Sequence, residues 1–263
     1  MSARYDYSEW DGTQEFADLD PDDLLAGLTD DLLAGGDLDD ALRRLLRSGF
    51  RTADGDEVAG LRDLPEAERP TALICQSATG YYGPRGSEQL DEGAAPGNDF
   101  LAGVVREWEQ EALAAAPSCR VVVSRTGVVL AAGGGALAKM LPFFRAGVGG
   151  PVAGGHQFVP WIHIDDVVDG LLFCLENSST DGPINLTAPR PVENSELSKA
   201  LGRVLRRPAV LPVPAAALKL LYGEMSQIVL TGQRVVPHRL EALGFSFRYP
   251  ELEGALRDVL GTR

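Results

Sequence analysis

Apolar residues change their spacing several times along this chain, and each change marks an element. Ala72, Leu73, Ile74 and Cys75 form a short unbroken run, which predicts a buried strand over 71–75, followed by a polar, glycine-rich turn that ends at Gly83. Residues 100–116 carry Leu101, Val104, Val105, Trp108, Ala112 and Leu113 at helical spacing, behind a cap at Asn98 or Asp99. A second strand is predicted over 120–130, from Val121, Val122 and Val123 through Val128, Val129 and Leu130. A Gly133-Gly134-Gly135 turn then leads into a helix with Leu137, Met140, Leu141, Phe143 and Phe144. Residues 158–164 read as strand, and Asp165 reads as the cap of a helix carrying Val167, Val168, Leu171, Leu172 and Leu175. A third buried strand covers 183–187, Asn194 or Ser195 caps a helix that runs to Arg206, and a closing helix spans 252–260. Strands that alternate with helices at these lengths predict a parallel, layered α/β fold.

The first 69 residues follow another pattern. Tyr5, Tyr7, Trp10 and Phe16 have no clear period, but Asp20-Pro21 opens a helix with Leu24, Leu25, Leu28, Leu32 and Leu33 on one face. After Gly35-Gly36, Asp37 caps a second helix with Leu38, Ala41, Leu42, Leu45 and Leu46. This predicts a helical hairpin over 20–48 whose leucine stripe packs on the rest of the chain or on a partner. Charge follows the same division. Residues 1–69 hold 19 of the 38 acids and 7 of the 24 bases, so the net charge of −14 sits mainly there. Residues 70–263 are nearly neutral, and nothing is basic enough to track a phosphate backbone, which argues against nucleic-acid binding.

Cys75, Cys119 and Cys174 are odd in number and far apart, so neither a disulfide framework nor a zinc site is indicated. His156 and His238 have no ligand-spaced partners, and no metal is expected. No apolar leader and no uncharged run of membrane-spanning length is visible, so the expectation is a cytoplasmic protein without a membrane partner.

Candidate chemistry gathers at the end of the first strand. Open α/β sheets place their ligands outside the carboxyl ends of the strands, and Ser77 and Tyr81 stand there. Several longer stretches add to this: SATGYYG (77–83), NDFLAGVVREWE (98–109), RTGVVL (125–130), GGALAKMLPFFRAGVGGP (134–151), WIHIDDV (161–167), INLTAP (184–189) and LGFSFRYPELEGAL (243–256). On these, residues 70–263 resemble the epimerase-like branch of the short-chain dehydrogenase/reductase superfamily. From about residue 211 the chain is similar to the C-terminal domain of unknown function carried by that branch. Residues 1–69 more weakly resemble the start of some bacterial von Willebrand factor A-type proteins. The resemblance implies NAD(P) as cofactor, a Rossmann-like sheet and a small C-terminal substrate domain. Residues 1–69 lack the glycine-rich phosphate turn and the strands that hold the adenosine end. The chain therefore reads as an acidic helical segment fused to a partial, truncated Rossmann-like body.

The resemblance assigns roles residue by residue. Ser77 matches the superfamily's catalytic serine and would hydrogen-bond a substrate oxygen beside the cofactor; the plainer reading is a turn serine satisfying local backbone. The superfamily's Tyr and Lys, four residues apart on one helix, correspond to Phe100 and Val104, neither of which titrates. Tyr81 or Tyr82 could donate a proton from the loop instead, or serve only in packing. Arg125, Thr126, Gly127 and Val128 would run past the nicotinamide. Lys139 and Arg145, on the following helix, could meet an anionic substrate or lie in solvent. Trp161 and His163 alternate on one strand and so share a face; they line a substrate cleft or are structural. Gly133 to Ala138 fits G-x-G-x-x-A, a weak signal alone, and the nearest later acid is Asp165.

Two functions compete on this basis. One is an NAD(P)-dependent epimerase or oxidoreductase acting on a small or sugar-nucleotide-like substrate, impaired by the absent dinucleotide half. The other is a non-catalytic binding or assembly module derived from that family. An uncovered first strand would favour a homo-oligomer or a complementing chain.

Overall fold

The computed structural model describes residues 61, 64–216 and 230–262. All of them belong to the second of the two units into which the chain divides, Thr52–Arg263. The hairpin expected over 20–48, and the resemblance drawn for the start of the chain, lie outside the described residues.

In chain order the elements begin with β1 (Ala72–Ala78), β2 (Gln89–Leu90), α1 (Phe100–Leu113), β3 (Arg120–Thr126) and β4 (Val128–Leu130). They continue with α2 (Gly135–Arg145), β5 (Phe158–Val159), β6 (Trp161–His163), α3 (Ile164–Glu176), β7 (Gly182–Leu186) and β8 (Val192–Glu193). The last are α4 (Asn194–Leu205), β9 (Arg234–Val235), α5 (His238–Ala242) and α6 (Leu252–Val259). The central sheet is parallel and three-stranded, in the order β1-β3-β7. Among the described residues β1 pairs on one side only. Three two-stranded pairs surround it: β4 with β6 and β2 with β9, both parallel, and β5 with β8, antiparallel. The fold is the expected α/β class.

Both faces of the central sheet are covered, which is why β3 reads as an unbroken apolar run before its polar end. Cys75, Val121 and Val123 point to one face and pack on Ala112 of α1 and Ala115 just beyond it. On the other face α3 packs so closely that a Cβ on Gly170 would collide with Leu186 of β7. A second core joins α2, α4 and α6 through Leu137, Leu141, Phe144, Leu201, Leu252 and Leu256, with Leu130 and Trp161 closing it from β4 and β6.

Three boundaries differ from the sequence expectation, each for a local reason. The run over 120–130 is two strands, because the chain changes partner at Gly127: β3 pairs with β1 and β7, while β4 pairs with β6. The run over 158–164 likewise divides at Pro160 into β5 and β6. Asp165 is not the cap of α3; His163 is, its ring nitrogen accepting from the Asp165 N–H at 3.0 Å. Asp99 does cap α1, accepting from the Ala102 N–H. That helix turns Ala102, Val105, Glu109 and Ala112 inward, leaving Leu101 and Leu113 exposed.

Gly127 explains the first of these divisions. A Cβ there would run into the carbonyl oxygen of Pro160 and stand 3.0 Å from the Thr187 methyl. Only glycine lets the chain leave β3 and enter β4 this close to the neighbouring segment. Gly127→Ala is therefore expected to cost about 1–3 kcal/mol, the usual range for forcing extra carbon into a filled space. Urea denaturation reads it directly, and an unchanged midpoint would show that the passage has slack.

Candidate functional site

Strand register creates the central feature of the site. Ser77 of β1 lies opposite Arg125 of β3, and Arg125 lies opposite Asn185 of β7. Paired residues in a parallel ladder share a face, so three polar side chains stand in one row near the carboxyl ends of the strands. Alternation from Cys75, Val121 and Val123 puts that row on the face covered by α1. Glu109, on the inward side of α1, meets it.

The contacts are short and closed. Arg125 donates from Nε to Glu109 Oε1 at 2.7 Å and from Nη2 to Oε2 at 2.7 Å, a two-point ion pair. The Ser77 hydroxyl donates to the same Oε1 at 2.7 Å. Arg125 Nη1 donates to the Tyr82 hydroxyl at 3.0 Å, and that hydroxyl donates to Asn185 Oδ1 at 2.6 Å. Ser77 and Arg125 are 3% exposed, Glu109 is 5% and Tyr82 is 0%. Burial alone would lower the Arg125 pKa, but the hydrogen bonds with Glu109, and the coulombic pull of Tyr82 and Glu109, hold it above its ordinary value. Burial pushes the Tyr82 phenol up to about 12 despite Arg125 and Asn185. Tyr82 therefore stays protonated at any physiological pH and acts as a fixed linker.

Tyr81 differs from its neighbour. The turn Thr79–Tyr82 follows β1, and the amide of Gly97 donates to the Tyr81 carbonyl at 2.8 Å. The Arg125 guanidinium lies 3.4 Å from the centre of the Tyr81 ring, a cation–π contact that backs the ring with a fixed charge. Tyr81 is half-buried, and among the described residues its hydroxyl has no hydrogen-bond partner. Of the three hydroxyl groups given a catalytic reading in sequence, Ser77 and Tyr82 are committed to the buried row, and Tyr81 is not.

The other selected residues are dispersed. The Thr126 hydroxyl accepts from Gln76 Nε2 at 2.7 Å and shares a 3.1 Å contact with Ser124. Gly127 is filled by protein, and the half-buried Val128 donates its amide to Pro160 O at 2.7 Å. Lys139 and Arg145 are exposed on α2. Phe100, at the superfamily tyrosine position, is 73% exposed. Trp161 is buried in the second core, its Nε1 donating to Arg190 O at 2.9 Å.

His163 is buried, with Nδ1 hydrogen-bonded and Nε2 beside a carboxylate. Because Nδ1 accepts from the Asp165 amide, the neutral ring carries its proton on Nε2, which stands 3.3 Å from Asp258 Oδ2, outside good hydrogen-bond alignment. The ring stacks on Tyr249 at 3.8 Å. Burial lowers the His163 pKa, against the pull of Asp165, Asp258 and Asp166. Beside it the buried Asp166 accepts from the amides of Arg248 and Tyr249 at 2.7 and 3.0 Å, and burial raises its pKa. Trp161 and His163 thus tie elements together, and both are buried among the described residues.

Four groups that sequence reasoning passed over complete the arrangement: Glu109, Asn185, Glu92 and the amide of Arg239. Glu109 alone left a signal, as an acid inside the apolar stripe of α1 between Val105 and Ala112. A groove of about 420 Å³ bounded by Lys199, Arg203, Arg206 and Arg207 lies on α4, and none of the selected residues lines it. Among the described residues no cluster of His, Cys, Asp or Glu could hold a metal, and no helix is long and apolar enough to cross a membrane.

One buried polar atom and one turn bear on whether the residues present suit a dinucleotide. Thr187, just past β7 and next to Gly127, has a buried hydroxyl with no partner among the described residues. An unpaired buried hydroxyl costs about 1–3 kcal/mol, so this edge has a place for an added polar contact. The Gly133–Gly135 turn is different: a Cβ on Gly133 or Gly134 would meet nothing, so these glycines shape no cradle.

Known proteins resemble this chain over most of its length. A family described as a domain of unknown function, DUF1731, matches residues 213–259. The chain is 47% identical over 200 residues to the chloroplastic homolog of epimerase family protein SDR39U1 from Arabidopsis thaliana, covering 76% of this chain and 58% of that protein. It is 37% identical to SDR39U1 of Homo sapiens over 87% of this chain and 80% of that protein. Residues 70–263 are about three quarters of the chain, so the human match reaches back before Pro70. The crystal structure of human SDR39U1 (isoform 2) with NADPH superposes with a TM-score of 0.76 at 36% identity, covering 80% of this chain and 71% of that one. It carries a Rossmann-type fold, and so does this chain.

Two outcomes follow from the geometry. Glu109→Ala strands a buried guanidinium and is expected to cost about 3–5 kcal/mol in urea denaturation, and the double variant Glu109→Leu with Arg125→Met should recover most of it. A double variant as unstable as the single one would mean that the pair is not the source of the loss. His163 gives a pH signature. Its folded pKa lies below its ordinary value of 6.5, so the unfolded chain binds the proton more readily. That stability is present above pH 6.5 and is lost as pH falls from there toward the folded value. His163→Asn keeps a capping side chain without the titration. It should flatten the stability curve on the acid side of neutrality, and an unchanged slope would place the acid sensitivity elsewhere.

Proposed function

The chain belongs to the epimerase family that includes SDR39U1, and on that premise we propose that it is an NAD(P)(H)-dependent epimerase or oxidoreductase acting on a small, sugar-nucleotide-like substrate. The chain spans 58% of the length of the plant relative, so activity, substrate and partners enter here as proposals. The observation that carries the reading is Tyr81: an unbonded phenol, backed by the Arg125 cation, on a turn at the carboxyl end of a parallel sheet.

Thr126, Gly127, Val128 and Thr187 would hold the nicotinamide end, the last through its unpaired hydroxyl. The nicotinamide, when bound, supplies a hydride acceptor or donor. Tyr81 would give or take the proton on the substrate oxygen at its own hydroxyl. Arg125 fixes the plane of the Tyr81 ring, and Glu109 holds Arg125. Ser77 serves this assembly indirectly, by completing the coordination of Glu109.

A second reading, a non-catalytic binding module, is favoured by one specific observation. Ser77 and Tyr82 spend their hydroxyls inside the protein, and Phe100 and Val104 leave the superfamily's usual tyrosine and lysine without counterparts. A cytoplasmic setting belongs to the proposal as well; one relative is described as chloroplastic. Self-association through the β1 edge is the partner proposal, and light scattering reads it.

Fluorescence titration of the full chain with NADPH separates the two readings. Micromolar binding, with Tyr81→Phe keeping that affinity within about threefold, is expected for the first: the lost oxygen serves the proton and not the cofactor. No binding at millimolar NADPH would exclude cofactor-dependent chemistry by this chain alone and leave the module reading.

A further inference from the structure

The hydrogen bonds around Tyr82 do not end at Asn185. Asn185 donates its backbone amide to Glu92 Oε1 at 3.0 Å and its side-chain Nδ2 to the Val236 carbonyl at 3.0 Å. Glu92 is buried and also accepts from the Arg239 amide, at 3.2 and 3.3 Å to its two oxygens. Its own carbonyl accepts from Arg125 Nη1 at 3.4 Å. Burial raises the Glu92 pKa, against the amides that hydrogen-bond it. Both groups that hold the Tyr82 hydroxyl, Arg125 and Asn185, are therefore themselves held by Glu92.

The far side of this chain of contacts is one short segment. Residues 234–239 pair β9 with β2, donate the Val236 amide to Leu90 O at 2.9 Å, and grip the start of β7 through the Arg239 guanidinium on Asp181 O and Pro183 O at 2.6 and 2.8 Å. The segment lies inside the match to the domain of unknown function. Tyr82, Leu90 and Val235 also form a small apolar cluster, with Tyr81 packed against it. Polar and apolar contacts thus run from the same six residues to the same turn.

We propose that residues 234–239 are a strap that sets the position of the Tyr81–Tyr82 turn, with Glu92 and Asn185 as the positioning residues that transmit it. The C-terminal segment then holds the ligand-facing end of β1 in place from the opposite side of the buried row. The link runs through side chains because β1 and β9 share no ladder: the Val236 carbonyl reaches the Tyr82 hydroxyl through Asn185, and the Arg239 amide reaches it through Glu92 and Asn185. The effect on catalysis rests on Tyr81 being the proton-handling group; the strap itself does not.

Hydrogen exchange on the full chain tests it without cofactor. The amides of Gly83 and Gly97 bond to Gly80 O and Tyr81 O and report whether the turn is closed. In Glu92→Ala these amides are expected to exchange about tenfold faster while α4 amides keep their rates, the mark of a local opening. Glu92→Gln keeps one accepting oxygen and should stay within about threefold of the parent. Faster exchange confined to 234–239, with Gly83 and Gly97 unchanged, would overturn the proposal, and so would a uniform rise that includes α4. Should Glu92→Ala fail to fold, Tyr82→Phe removes a single oxygen from the same path: the turn amides should speed up and those of 234–239 should not, and unchanged turn amides would again overturn it. NADPH titration of the same proteins keeps the two proposals apart, because a chain that binds no cofactor can still show the coupled exchange.

Discussion

A guanidinium inside a parallel sheet must be neutralised where it stands, and much of this molecule follows from that constraint at Arg125. The group is 3% exposed, and the cost of isolating such a charge is several kcal/mol. Glu109 supplies both oxygens, which requires α1 to cross β3 with that residue facing inward. Nη1 requires oxygens on the other side, and the Tyr82 hydroxyl and the Glu92 carbonyl provide them. Ser77 donates to Glu109 Oε1 beside Arg125 Nε, filling both acceptor positions of that oxygen. Every member of the row is satisfied, which is the condition under which buried polar networks fix a structure instead of weakening it.

Periodicity made most of the elements legible, because apolar spacing records burial. The three central strands and the helices after them stand where the spacing put them. What spacing cannot record is a change of partner. Residues 120–130 stay apolar through Gly127 because both halves are covered, yet the hydrogen bonds move from one ladder to another there. Pro160 hides a similar division. The candidate site was legible in the same partial way. Ser77, Tyr81, Tyr82 and Arg125 could be singled out, but register is not written in any one strand, and only register shows that Ser77 and Arg125 share a row with Asn185. Glu109 was readable in principle as an acid in an apolar stripe. Glu92 was not, since an acid in a loop is ordinarily a solvated charge.

Two anchors of the C-terminal part of the described chain are of one kind. Asp166 accepts two backbone amides from residues 248 and 249, and Glu92 accepts the amide of residue 239. In each case a buried carboxylate takes hydrogen bonds from peptide groups of a segment distant in sequence. Such contacts specify position more than they add stability, because desolvating the carboxylate cancels much of the gain. Apolar packing of α6 on α4 supplies the cohesion, and the carboxylates supply the register.

Tyr81 and Tyr82 show how two identical neighbours come to differ. They sit in one tight turn, so their rings cannot share a direction; the planes meet at 86°. Tyr82 enters the row, where its hydroxyl is both donor and acceptor and its proton cannot leave. Tyr81 stays at the edge, with the same guanidinium beneath its ring. One cation thus does two things at 3.0 and 3.4 Å: it fixes the inner phenol by a hydrogen bond and orients the outer one by its face. A lysine at position 125 could reach either group, but it lacks the planar fork needed to bind Glu109 at two points while standing over an aromatic ring. The arrangement therefore needs arginine there. It also explains why the reactive candidate is the tyrosine that the buried row leaves unbonded.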